Sequence, residues 1–152
     1  MTKPREVFLS HSHQDVDVAR RIQRELRRDG IRFWFAPHRL VGSQRWHDEI
    51  GKALDRCDWF LLLLSPHAVR SRWVKHELLF ALNADHFEHR IVPVLYRDCR
   101  FAKLSWTLDQ IQRVDFRGDF AVGIEDLRRV WGLKQRQNQR LGEDTGRARH
   151  RV

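Results

Sequence analysis

Apolar residues recur along this chain in two periods, and the switches between them mark its elements. Glu6-Val-Phe-Leu-Ser10 is a short aromatic and β-branched run that stops at a polar cluster, and it reads as a strand entering a loop. From Asp15 to Asp29, Val18, Ala19, Ile22 and Leu26 recur at helical spacing opposite a row of arginines, with Gly30 placed to cap the helix. Residues 31–35 read as a second strand, 36–44 as a loop and about 45–56 as a helix.

Trp59-Phe-Leu-Leu-Leu-Leu64 has no polar break, which suits a central parallel strand covered on both faces; the expected strand is 58–64. A helix over about 71–85, a strand at 91–96, an irregular stretch over 97–108, a weak strand at 112–116 and a helix around 124–133 complete the pattern. Alternating strands and helices with short links imply a parallel sheet with right-handed crossovers and helices on both faces. Ligands of such sheets bind beyond the carboxyl ends of the strands, so the loops after Ser10, Phe35, Leu64 and Tyr96 are where function is expected.

The length of 152 residues suits one domain with one core. The longest apolar run is far short of the roughly 20 residues a spanning helix needs, and the first residues are polar, so a soluble, cytoplasmic protein is expected. Cys57 and Cys99 sit in no CxxC or Cys/His spacing and read as reduced thiols. Twenty-nine Lys and Arg against 20 Asp and Glu give a formal charge of +9, which favours anionic partners without naming one. Lys134 onward carries six of those cations, two acids and no apolar periodicity; 134–152 is expected to be a basic tail, either a helix extension or disordered.

Two constellations stand at the expected ligand end. His11-Ser12-His13-Gln14-Asp15 resembles the start of the HxHxDH zinc motif of metallo-β-lactamase-type hydrolases, but Val16 replaces the next histidine and the closed ligand set is missing, so no metal is expected. In Ser71-Arg-Trp73-Val-Lys-His-Glu77, Trp73 and Glu77 share a helix face just beyond the central strand. An aromatic plane beside one carboxylate suits a flat cationic heterocycle on a sugar; the plainer alternative is that Trp73 packs in the core and Glu77 is a solvated helix residue. Arg39, Arg45 and Trp46 flank the loop after the second strand, as phosphate and base contacts or as surface charge and a helix-start staple. GxGxxG, Walker A and GxSxG elements are absent, which removes the physical basis for dinucleotide-fold, NTPase and serine-hydrolase readings.

Taken in order, these segments resemble a Toll/interleukin-1 receptor (TIR) domain of the stand-alone bacterial type. Phe8–Asp15 is similar to that family's first box, Phe33–Ile50 to strand B, the BB loop and the start of helix B, and Leu64-Ser-Pro-His with Ser71-x-Trp73-x-x-x-Glu77 to the CC loop and helix C. The resemblance covers about 5–133, making 1–133 the expected TIR domain. It implies a flavodoxin-like α/β domain, three layers deep, with a five-stranded parallel sheet. It also implies cleavage of NAD at the nicotinamide–ribose bond to nicotinamide and ADP-ribose or a cyclic variant, in immune or stress signalling.

On the same resemblance Glu77 matches the essential glutamate and Trp73 the aromatic against nicotinamide or ribose. His11 and Ser12 match pocket-lining positions, and Arg39, Leu40, Val41 and Trp46 fall where the BB loop and next helix close over substrate. NAD is then substrate, and no cofactor is expected. The alternative is a non-catalytic TIR–TIR assembly module, and in enzymatic members a neighbour's BB loop often completes the site. Self-association and an effector or regulatory protein are the expected partners. Nucleic acid, suggested only by the arginines of the first helix and tail, is disfavoured, and no membrane is expected.

Overall fold

The computed structural model describes residues 2–35 and 44–134. Five parallel strands, β1 (Glu6–Ser10), β2 (Arg32–Trp34), β3 (Trp59–Leu64), β4 (Ile91–Leu95) and β5 (Val114–Asp115), form one sheet in the order β2-β1-β3-β4-β5. The helices are α1 (Val16–Arg27), α2 (Gln44–Arg56), α3 (Pro66–Arg70), α4 (Arg72–Asn83) and α5 (Phe120–Val130). The expected flavodoxin-like α/β architecture with helices on both faces is the one observed.

β3 explains the two-sided core. All six of its residues are buried, because successive side chains point to opposite faces and both faces are covered. Trp59, Leu61 and Leu63 join Val7, Leu9 and Val94 under Val18, Ile22 and Leu26 of α1 and Ile124 and Leu127 of α5. Phe60, Leu62 and Leu64 join Phe8 and Leu95 under Trp46, Ile50 and Leu54 of α2 and Val74, Leu78 and Ala81 of α4. β3 lies at the centre of the sheet, with β1 registered from Val7 opposite Trp59 and β4 from Ile91 opposite Phe60.

Glycine matters at two points. Gly30 follows α1 with a φ of 79°, the left-handed geometry that ends helices cheaply only at glycine. Gly123 lets α5 press onto Phe116: a Cβ there would stand 2.6 Å from that ring.

The differences from the expected elements are one added short helix and shifted element ends. Residues 66–70 form a helix of their own, with Ser65 as N-cap and Pro66 in the first turn, too short for an apolar period to announce. The last helix starts at Phe120, not near Ile124, because the Asp119 carboxylate accepts from Ala121 N–H at 2.9 Å and caps it there. β5 has two residues instead of five, and the stretch 97–108 contains a 3₁₀ turn at Phe101–Lys103 and the start of another at Trp106–Gln110. The tail expected at 134–152 lies, beyond Lys134, outside the described residues.

Candidate functional site

β1 ends by placing Ser10 on the same face of the sheet as Phe8, the face that α4 covers. α4 presents Val74, Leu78 and Ala81 to the core, and Glu77 lies between them, only 8% exposed. Ser71 caps α4 by accepting from Val74 N–H at 3.3 Å, which fixes where its turns begin. The two elements meet at one contact: Ser10 Oγ–H donates to Glu77 Oε1 at 3.2 Å. Burial pushes the Glu77 carboxyl up to about 8, and the Ser10 hydrogen bond opposes part of that rise.

One turn before Glu77, Trp73 is 36% exposed, so it is a rim residue and not a core one. Its ring stands edge-on to Trp46 of α2, with centroids 3.9 Å apart and planes at 85°. Trp46 is buried and anchors the pair, while His47 and His76 lie 5.0 and 5.8 Å from Trp73 by centroid. The result is an aromatic rim one helical turn from a carboxylate in a poorly solvated setting. Such a carboxylate, once ionised, acts strongly on nearby positive charge.

Of the remaining expected residues, His11 is half-buried, with its ring edge-on to Phe35 at 5.4 Å. Its Nδ1–H donates to the Ser12 carbonyl at 2.7 Å. Ser12 is buried and its hydroxyl accepts from Gln14 N–H, capping the 3₁₀ turn at His13–Asp15. Arg39, Leu40 and Val41 lie outside the described residues. Arg45 is exposed on the first turn of α2. Among the described residues no group of three or more His, Cys, Asp or Glu is placed to hold a metal ion.

Two further contacts escape sequence reasoning. Ser10 is buried and touches the carboxylate directly; strand alternation assigns it Phe8's face, but nothing local says that α4 lies there. Asp15, also buried, accepts from Ser65 Oγ at 2.5 Å, and Ser65 in turn accepts from Ala68 N–H. That chain ties the loop after β1 to the loop after β3, satisfying buried polar groups while fixing the two loops.

A cavity of about 1200 Å³ lies at the opposite end of the sheet, bordered by Trp59, Ile91 and Val114 near the starts of β3, β4 and β5. None of the candidate residues lines it, and a parallel sheet of this type places its ligands at the other end.

Comparison with known proteins gives a consistent picture. The family model for the TIR domain matches residues 7–129. The chain is similar to the 2′ cyclic ADP-D-ribose synthase BtTIR of Bacteroides thetaiotaomicron, with 24% identity over 98 residues, 63% of this chain and 34% of that protein. It is similar to the NAD(+) hydrolase ApTIR of Actinoplanes sp., with 35% identity over 101 residues, 59% of this chain and 14% of that protein. The matches thus span well under half the length of either relative. The crystal structure of the TIR domain of the Toll-related receptor TRR-2 from Hydra magnipapillata superposes with a TM-score of 0.62 at 19% identity, covering 91% of this chain and 95% of that one, a likeness of fold.

Proposed function

The chain belongs to the TIR domain family, and from that premise we propose that it cleaves NAD at the nicotinamide–ribose bond, with Glu77 as the catalytic carboxylate. The observation that carries this reading is the pairing of a buried Glu77, held by Ser10, with the exposed Trp73 one turn away at the carboxyl end of β1. The names of the two curated relatives support the same reaction.

The chemistry needs few groups. Nicotinamide is bound to ribose as a pyridinium and departs neutral, so no general acid is required to assist it, unlike an ordinary glycoside. As the C–N bond breaks, positive charge grows on the ribose, and an ionised Glu77 opposes it at short range. Arrival of the cationic pyridinium itself favours loss of the Glu77 proton, which burial otherwise holds. Trp73 offers a face to the nicotinamide ring, and the attraction between ring face and cation disappears when nicotinamide leaves neutral. Water attacking the anomeric carbon yields ADP-ribose and a proton; a nucleophile within ADP-ribose yields a cyclic product instead. His11, Ser12, Arg39, Leu40, Val41 and Trp46 complete the substrate-binding set of this reading.

The test is nicotinamide release from NAD by concentrated wild-type chain and by Glu77→Gln, each checked for folding by circular dichroism. Activity in the wild type alone supports the reading; equal activity in both removes Glu77 from the mechanism.

A second reading, assembly through TIR–TIR contacts without turnover, draws support from Leu79 and Phe80, large apolar residues 41% and 40% exposed on α4. Folded protein that releases no nicotinamide at any concentration, yet sediments as an oligomer, would favour it.

A further inference from the structure

A pocket of about 440 Å³ opens where β4 and β5 end, on the sheet face that α1 and α5 cover. Arg21 and Arg24 reach it from α1, Tyr96 and Arg97 follow β4, Phe116 follows β5, and Phe120 begins α5. It is separate from the Glu77 site, whose groups come from β1, α2 and α4 on the opposite face.

Arginines without a carboxylate partner are common among the described residues, and what this pocket adds is three of them gathered at one concave site beside aromatic rings. Arg28, Arg56, Arg117, Arg128 and Arg129 each reach a carboxylate. Among the described residues Arg21, Arg24 and Arg97 reach none. The Arg21 guanidinium lies over the Phe120 ring at 3.8 Å, and that of Arg97 over Tyr96 at 4.8 Å. Stacking occupies the faces of these guanidiniums and leaves their in-plane N–H edges as oriented donors. Arg97 gives one of them, Nη2–H, to the Tyr96 hydroxyl at 3.4 Å.

The neighbouring charges leave a cationic balance. Asp17 lines the pocket beside the three arginines. Arg117, also on the rim, is committed to Asp98 and Asp115 at 2.6 and 2.9 Å, and Asp119 is committed to capping α5. Arg21 and Arg24 are one turn apart on α1, so the fold holds like charges together at a concave site walled by aromatic rings. The volume falls within the range of small-molecule sites, roughly 300–1,000 Å³.

We propose that this pocket binds a phosphorylated small molecule bearing a flat ring, of the nucleoside diphosphate type. The phosphates engage the Arg24 and Arg97 forks, and the ring packs against the Arg21–Phe120 stack. Charge-assisted bonds from two forks give affinity, and the stacked planes prefer a ring over a bare anion. The proposal stands whether or not Glu77 catalyses NAD cleavage.

The experiment is calorimetric titration of the full chain with ADP, adenosine and pyrophosphate, alongside the double variant Arg24→Gln/Arg97→Gln and the variant Trp73→Ala. Arg24 and Arg97 are exposed and free of ion pairs among the described residues, so the double variant is expected to melt like wild type. ADP is expected to bind wild type and Trp73→Ala alike, at least about tenfold more weakly to the double variant, and more weakly as salt is raised. Adenosine and pyrophosphate are each expected to bind more weakly than ADP. Binding kept at wild-type strength in the double variant, whatever Trp73→Ala does, places ADP elsewhere and overturns the proposal. So does ADP failing to bind wild type at millimolar concentration, or pyrophosphate matching ADP.

Discussion

Ser10 Oγ stands 3.2 Å from Glu77 Oε1 although 67 residues separate them in the chain. The contact is buried, and among the described residues a neutral hydroxyl is the one hydrogen-bonding neighbour that offsets the cost of charging this carboxyl. The first two predictions follow from that pairing.

Glu77 holds its proton up to about pH 8 in the folded chain, against an ordinary value of 4.5. Between those values the folded state binds a proton the unfolded state has released, so stability falls as pH rises from about 4.5 to 8. Glu77→Gln removes this dependence. Its melting temperature is expected to match wild type near pH 4.5, to exceed it increasingly above that, and to hold a constant lead above pH 8; differential scanning calorimetry across pH checks this. If Glu77 acts ionised, kcat/KM for NAD rises over the same interval and levels off above about 8.

Ser10→Ala removes the contact that favours the charged carboxylate. The rising limb of the kcat/KM profile is expected to move to higher pH, with roughly a tenfold loss at neutral pH and partial recovery in alkali. Ser10→Thr, which keeps the hydroxyl, is expected to restore the profile. A loss that is equal at every pH would make Ser10 a packing residue only.

Trp73 is exposed at the rim, so truncating it leaves the core intact, whereas truncating the buried Trp46 beneath it does not. Trp73→Ala is expected to raise KM for NAD about tenfold with a melting temperature near wild type, and Trp73→Phe to keep most of the affinity. Trp46→Ala is expected to cost about 3–5 kcal/mol in urea unfolding.

Arg128, only 2% exposed, joins Asp29 after α1 to Glu125 on α5, donating at 3.0 and 2.7 Å. Its Nη2–H also reaches the Glu25 carbonyl at 3.1 Å. Arg128→Met takes the shared cation from two largely buried carboxylates and is expected to cost about 3–5 kcal/mol in urea unfolding. Because the network lies on the face away from Glu77, the protein that remains folded should turn over NAD at the wild-type rate.

The amino-acid sequence by itself determined the layers of this protein. The unbroken Trp59–Leu64 run demanded cover on both faces, the spacing of Val18, Ile22 and Leu26 demanded an amphipathic helix, and Gly30 ended it, because local sterics and apolar period act within a few residues. Glu77 and Trp73 were legible as a pair because four residues on a helix share one face. Short elements were not: α3 and the two-residue β5 leave too few positions for a period, and capping groups decide their ends. Nor was the site's support legible. Ser10 beneath Glu77, Trp46 against Trp73 and Asp15 on Ser65 join residues from different strands, loops and helices. Only the sheet order and the face each crossover helix covers bring them together, and those are properties of the whole folded chain, since no local period encodes which helix a strand's side chain will meet.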